Sequence, residues 1–341
     1  MATYKDLQRS TGLSLATISK YFNGGTVRTE NARAIEEAAA HLRFRPNEVA
    51  RNLRSGRSRT VGVLLPDLTS EFYLSILAGV ELRLRHNGVS VLICADHPEI
   101  EGVGDAVQFL AGRMVDGIIT VPTSRSVPGL RELSEHGTPI VTLDWQAPGL
   151  VADAVVIDNQ TAAATAIQHL VDHGHERIAY LAGDDTPTLL GRLEGVRRQL
   201  AARGVPVRDE YIVRSTLDVA AGRASMQRLL LLEQRPTAVF VAMNLLGIGA
   251  LTALNESGAR VPRDMSFVGF DMSQIARMTN PALDTVEQRV DELAAAAADL
   301  MLSRLHPVER PDADGIAAPT VITLHADYIS GGSVADLRPL D

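Results

Sequence analysis

Beyond residue 60 the chain alternates short apolar runs with longer stretches of helical period. The runs TVGVLLP (60–66), SVLICA (90–95), GIITVP (117–122) and PIVTLD (139–144) have strand length, and a helical stretch at about 71–87 follows the first. Strands alternating with helices predict a parallel sheet. The pattern restarts after Val155-Val156-Ile157-Asp158, with RIAYLAG (177–183), YIVRS (211–215), TAVFVA (237–242) and SFVGFD (266–271). A crossover at TVEQRVDEL and a single strand TVITLHADYI (320–329) complete it. Two similar α/β halves with a cleft between them form an architecture for sensing small molecules. In such sheets ligands sit beyond the carboxyl ends of the strands.

The first 60 residues follow another pattern. Thr3 and Asp6 have capping-box spacing, so a helix starts near Tyr4, and Gly12 ends it. Ser14 caps a second helix at about 15–22, which Asn23-Gly24 stops. Two short helices joined by a tight glycine-containing turn make a helix-turn-helix. Thr29 is the expected cap of a third helix, whose Ala34, Ile35, Ala38 and Leu42 close a small core with Leu7, Leu13 and Ile18.

Charge sharpens this division. Residues 1–59 hold 11 Lys/Arg and 5 Asp/Glu, against 33 and 41 in the whole chain, leaving 22 and 36 for the remainder. A basic head on an acidic body is the footprint of a module that meets phosphate. The second helix of such a unit enters the major groove of double-stranded DNA. Leu15 and Ala16 offer apolar contacts to thymine methyls, and Lys20 donates to guanine or phosphate. Ser14, Thr17, Ser19, Tyr21, Asn23 and Arg28 suit phosphate positioning, with capping as the alternative for Ser14 and Thr17. After Pro46, Asn47 can cap a turn, but residues 48–54 are too short for an isolated helix. A basic segment that orders only when paired on DNA fits this stretch.

The helix-turn-helix TGLSLATISKYFNG, the segment RPNEVARNL and the order of the body strands resemble the lactose/galactose repressor (LacI/GalR) family of bacterial transcription regulators over essentially the whole chain. The resemblance implies an all-α helix-turn-helix DNA-binding head plus hinge, joined to a two-lobed α/β effector domain like that of periplasmic binding proteins. It implies that Asn47 and Arg51 belong to a hinge helix, and that Leu53 wedges into the central base step of the operator. The expected limits are 1–46 for the head, 47–59 for the hinge and linker, and 60–341 for the effector-binding and dimerisation domain. Within that domain the N-lobe covers about 60–157 plus 287–318, and the C-lobe about 158–286 plus 319–341.

Polar and aromatic residues just past strand ends are the effector-binding candidates. Asp144 and Trp145 end PIVTLD, Asp271 ends SFVGFD, and Met243 and Asn244 follow TAVFVA. Phe72 and Tyr73 open the first body helix, Arg192 lies in the helix after RIAYLAG, and Gln288 lies at the late crossover. Two carboxylates and an arginine suit a polyol, and aromatic faces cover a sugar ring or stack on a base. The chain departs from the family in having Met243-Asn244 where Asn-Asp is usual, and Met272 where a second aspartate is common.

Other chemistry is set aside. Asp144 with Asp271 could form an acid/base pair, but no nucleophile or oxyanion hole accompanies them. His173-Gly174-His175 lacks the further ligands of a metal site, and the resemblance makes it structural. Gly183-Asp184-Asp185 lacks the Gly-Lys-Ser/Thr of a phosphate loop. No enzyme, no cofactor and no metal is therefore expected. One cysteine, no secretory signal and no membrane-length apolar run place the chain in the cytoplasm, at the nucleoid. The tail after residue 329 lacks leucine heptads, so a homodimer is expected.

The expected function is a repressor of carbohydrate-utilisation genes, binding a near-palindromic operator and controlled by a sugar effector. Two alternatives stay open: a purine- or nucleoside-responsive regulator of the same family, and a ligand-independent architectural DNA-binding protein.

Overall fold

The computed structural model describes residues 2–22, 25–44, 57–96, 105–183, 185–306 and 318–338. Asn23 and the hinge positions Asn47, Arg51 and Leu53 lie outside the described residues. The chain forms two compact units, Met1–Ser58 and Arg59–Asp341.

In the first unit α1 spans Tyr4–Thr11, α2 Leu15–Phe22 and α3 Thr29–His41. The Asp6 carboxylate accepts from the Thr3 amide and hydroxyl, both at 2.8 Å, and so fixes the start of α1. Gly12 ends α1 in the left-handed region at φ 70°. Ser14 Oγ accepts from the Thr17 amide at 3.1 Å, capping α2. The expected cap at Thr29 is corrected by one residue. The Arg28 carbonyl receives the first helical bonds, from Asn31 and Ala32 at 3.0 Å, so Arg28 is the cap and Thr29 already lies in the helix.

Leu7, Ile18 and Ile35 are fully buried in the head core, with Leu13 and Leu42 packed against it. The helical period predicts only aliphatic residues here. Phe44 folds back onto this core, and its ring meets those of Tyr4 and Phe22 at 5.2 Å each. These edge and tilted contacts add burial that the short helices could not supply alone.

The second unit contains two sheets. The first lobe is built from β1 (Thr60–Leu65), α4 (Glu71–His86), β2 (Ser90–Ala95), α5 (Ala106–Gly112), β3 (Gly117–Thr120), α6 (Ser126–Glu135), β4 (Ile140–Asp144) and β5 (Asp153–Ile157). The second contains α7 (Asn159–Asp172), β6 (Ile178–Gly183), α8 (Pro187–Ala202), β7 (Ile212–Arg214), α9 (Val219–Leu230), β8 (Ala238–Val241), α10 (Asn244–Ser257), β9 (Ser266–Phe270), α11 (Ser273–Met278) and β10 (Asp284–Gln288). The chain then returns through α12 (Val290–Leu305) and ends in β11 (Val321–Leu324) and β12 (Ala326–Ile329).

The strand orders are β11-β5-β4-β3-β1-β2 and β12-β10-β9-β8-β6-β7. Both sheets are covered on two faces, which is why their strands read as continuous apolar runs. In β1, Val61, Val63 and Leu65 belong to the core under α4 and α12, while Leu64 belongs to the core under α5 and α6. Where α9 meets α10, glycine is required on both sides. A Cβ on Gly222 would collide with the Leu246 backbone, and one on Gly249 with the Val219 backbone. This close approach fixes α10, whose first turn faces the cleft described below.

The expected strand 320–329 is two strands, and the expected lobe boundary shifts with it. Val321–Leu324 pairs in parallel with β5 of the first sheet, and Ala326–Ile329 pairs antiparallel with β10 of the second. Residues 321–324 therefore belong to the first lobe, a correction to the expected placement of 319–341 in the second. Likewise β10 runs through Gln288 in the second sheet, two residues past the expected end of that stretch at 286. No glycine or proline marks the break at His325, so the segment reads as one strand. Pairing partners, not local preference, divide it.

Candidate functional site

Strands β4 and β9 end on the same device. Asp144 has φ 71° and Asp271, just past β9, has φ 54°, both in the left-handed region that glycine usually occupies. Such backbone costs on the order of 1–3 kcal/mol and persists where the surrounding structure enforces it. At each end the turn presents a carboxylate at the carboxyl edge of its sheet.

The two carboxylates are held differently. Thr188, in the first turn of α8, donates its hydroxyl to Asp144 Oδ2 at 2.9 Å, a bond from one lobe to the other. Gln288 donates its backbone amide to Asp271 Oδ1 at 3.1 Å and its side-chain amide to Oδ2 at 2.5 Å. The Gln288 amide oxygen is itself buried without a partner among the described residues, a condition that folded proteins rarely leave unmet.

Arg192 lies one helical turn beyond Thr188 on the same face of α8. It is 4% exposed, so it does not form a surface pair with Glu194. Its Nε donates to Asn159 Oδ1 at 2.8 Å and its Nη1 to the Ala242 carbonyl at 2.5 Å. Its guanidinium carbon stands 3.4 Å from the centre of the Phe270 ring. A guanidinium has five N–H donors, so this fork is clamped with donors to spare.

Electrostatics follow from this packing. Burial pushes the Asp144 carboxyl above its ordinary range, opposed by the Arg192 charge and the Thr188 bond. Burial pushes Asp271 up as well; Arg192 and the two Gln288 donors oppose it, and the charge of Asp144 adds to it.

These groups open onto one cavity of about 850 Å³ between the lobes. All nine positions singled out at strand ends line it. Phe72 and Tyr73 come from α4, Asp144 and Trp145 from the end of β4, and Arg192 from α8. Met243 and Asn244 come from the start of α10, Asp271 from the end of β9, and Gln288 from β10. The Trp145 indole N–H donates to the Pro122 carbonyl at 2.9 Å, which fixes the ring at the wall. The rings of Phe72 and Tyr73 sit 5.5 Å apart. Asn244 also accepts from the Leu245 amide at 2.7 Å, so it helps start α10.

Sequence reasoning missed several lining residues. Thr188 was legible in principle, since it precedes Arg192 by four positions. Glu71 and Gln274 are exposed and hydrogen-bonded to each other across the lobes, a pairing with no local signal. Thr123 and Ser124 follow β3 and also line the cavity. Met272 is buried against Gly247 and Gly269. Its amide donates to Glu287 Oε1 at 3.0 Å. His175, outside the cleft, is buried between Thr237 Oγ1 at 2.9 Å and the Ala335 carbonyl at 3.2 Å.

In the head, Ser14, Leu15, Ala16 and Lys20 lie on the exposed face of α2, and Thr17, Ser19 and Tyr21 are half-buried. Arg28 is exposed at the start of α3. The Tyr21 hydroxyl, expected at a phosphate, donates to Glu36 of α3 at 2.5 Å and ties the two helices together.

Residues 167–334 match the family model of the periplasmic binding protein-like domain. Over 308 residues the chain is 32% identical to the HTH-type transcriptional repressor CytR of Escherichia coli (strain K12), covering 89% of this chain and 90% of that protein. It is 28% identical over 340 residues to the HTH-type transcriptional repressor PurR of Actinobacillus pleuropneumoniae serotype 3 (strain JL03), covering 99% and 100%. Among solved structures it is similar to the transcriptional regulator CelR in complex with cellobiose. There the TM-score is 0.72, the identity 27% and the coverage 98% of this chain and 100% of that one.

Proposed function

Because the chain belongs to the lactose/galactose repressor (LacI/GalR) family of bacterial transcription regulators, we propose that it is a repressor that binds operator DNA as a dimer and answers to a sugar in the cleft between its lobes. The observation that carries this reading is the convergence of Asp144, Arg192, Asp271 and Gln288 on one cavity in a chain that also bears a basic helix-turn-helix. Carboxylates accept from hydroxyl pairs, and the clamped Arg192 donates a rigid fork. In this reading Asp144 and Asp271 serve as hydrogen-bond acceptors for the ligand.

On the DNA side, Leu15, Ala16 and Lys20 read the major groove. Ser14, Thr17, Ser19 and Arg28 set the register on phosphate. Its target places the protein in the cytoplasm, at the nucleoid.

The surface that joins two copies lies on the first lobe. Leu74, Ala78 and Leu82 form an exposed stripe along α4 at four-residue spacing. Beside them, Ile93 is 44% exposed on β2, the edge strand of its sheet. Apolar side chains on an unpaired edge and its neighbouring helix are the kind of patch that partners cover.

The test is direct. Operator fragments selected from random DNA with the purified protein are labelled, and anisotropy is followed as sugars are added. A saturable, sugar-specific change in operator affinity is expected. Specific DNA binding that no sugar or nucleoside alters would leave an architectural DNA-binding protein as the better reading.

A further inference from the structure

Asn159 is the first residue of α7; it is buried, and it lies behind the cavity wall, not in it. Its side chain reaches in two directions. Oδ1 accepts from Arg192 Nε at 2.8 Å, and Nδ2 donates to the Ile157 carbonyl at 3.2 Å. A guanidinium only donates and a carbonyl only accepts, so these two partners fix which way the amide points. Ile157 is the last residue of β5 in the first lobe, and Asp158 alone separates it from α7 of the second. One amide thus joins the cleft arginine to the end of a first-lobe strand, at a point where the chain changes lobe.

Neither end of this connection has room to drift. On one side α8 lies hard against the start of α7. A Cβ on Gly195 would collide with the Gln160 backbone, and one on Gly191 would touch the Asn159 side chain. Arg192 follows Gly191 directly, so its register against Asn159 is set by the close approach of the two helices. On the other side the Asp158 amide donates to the Leu324 carbonyl at 2.9 Å, and the Asp158 carboxylate accepts from the Thr161 amide at 3.0 Å. Leu324 ends β11, the neighbour of β5, so the start of α7 is also pinned to the first sheet through its backbone. The other holds on Arg192, the Ala242 carbonyl and the Phe270 ring, belong to the second lobe.

The chemistry at position 159 is narrow. An ionised aspartate would accept from Arg192 but has no hydrogen to give Ile157, and a leucine of the same shape would serve neither partner. We infer that Asn159 is a positioning residue of the response: an occupant of the cleft that displaces Arg192 moves Ile157 through the Asn159 amide, and so changes the relation between the lobes. The inference rests on the reading of this cleft as the effector site.

The experiment compares the full-length protein with Asn159→Asp. The variant keeps an acceptor for Arg192 and places a negative charge in the first turn of α7, where it is favourable, so it should fold and melt close to the parent. Operator affinity and Trp145 emission are followed with D-glucose, D-galactose, D-xylose, maltose, adenosine and cytidine. For the compound that shifts operator affinity most, the shift in the parent should be about 5- to 150-fold, the ordinary range of such coupling. In Asn159→Asp it should fall to within about twofold, while the affinity of the DNA-free protein for that compound changes by no more than about threefold. An undiminished shift would overturn the inference and leave the effector reading intact. So would a loss of ligand affinity as large as the loss of shift, because Asn159 would then only hold Arg192 for the ligand.

Silence of every compound would count against the effector reading alone, and a measurement without ligand then decides the inference. Spin labels on Glu132→Cys and Arg198→Cys, both exposed positions, report the distance between α6 of the first lobe and α8 of the second. The labelled chain carries Cys94→Ser and is diluted with unlabelled protein. Asn159→Asp should broaden or shift the distance distribution. Superimposable distributions would overturn the inference.

Discussion

Two aspartates carry the strain and the charge of the cleft. Asp144 and Asp271 each hold an unfavourable backbone conformation, and burial raises both carboxyls above the ordinary range. The two consequences for pH have opposite signs. In the ligand-free protein the folded state keeps these protons longer than the unfolded chain does. Their contribution to stability is thus fully present below the ordinary aspartate range and is lost as pH rises through the raised values. A hydroxyl ligand donates to the ionised form, so its affinity is full above the raised values and falls as pH drops through them. Calorimetry in buffers of different ionisation enthalpy should show proton release on binding within that window. Asp271→Asn should remove part of the release and weaken binding by roughly 10- to 100-fold, the scale of a lost hydrogen bond to a charged group. Affinity that stays constant as pH falls through the window would mean that neither carboxylate accepts from the ligand.

Among the elements, α2 is the proposed reader of DNA and α3 supports it. The Ser14 cap, the exposed Leu15 and Ala16, and Lys20 one turn on were all legible, because capping residues and helical period are local properties. The cleft strands were legible for a related reason: strands buried on both faces announce themselves as unbroken apolar runs, and the polar residue that ends each run marks the cleft. What escaped the sequence depends on distant partners. The split of residues 320–329 at His325 follows from which strand each half pairs with. The return of Phe44 onto Tyr4 and Phe22, the Tyr21–Glu36 bond and the Glu71–Gln274 bond join residues whose meeting no local pattern encodes. For α2 the prediction concerns salt. Replacing Lys20 with alanine should weaken operator binding and lower the slope of log affinity against log salt by about one unit. A slope equal to that of the unaltered protein would argue against a phosphate contact at Lys20.

For the whole molecule, the proposed function requires two copies and a way for the cleft to speak to its surroundings. Leu82, 48% exposed on the apolar stripe of α4, is the site to test pairing. Leu82→Asp should give a monomer by light scattering and cost operator affinity on the order of 10²- to 10⁴-fold, since each head must then bind alone. A dimer of undiminished stability would place the interface elsewhere. The cleft's message is shaped by how the chain passes from lobe to lobe. Among the described residues it crosses three times, with a single residue between consecutive elements at each passage: Asp158, Arg289 and His325. One of these links follows directly on Gln288, the residue bonded to Asp271. Links this short have almost no slack in length, but the φ and ψ bonds of each link still turn. On the proposed reading they act as a bearing: an occupant that pulls on Asp271 would apply torque at the Gln288–Arg289 link itself, and what leaves the cleft would be an angle.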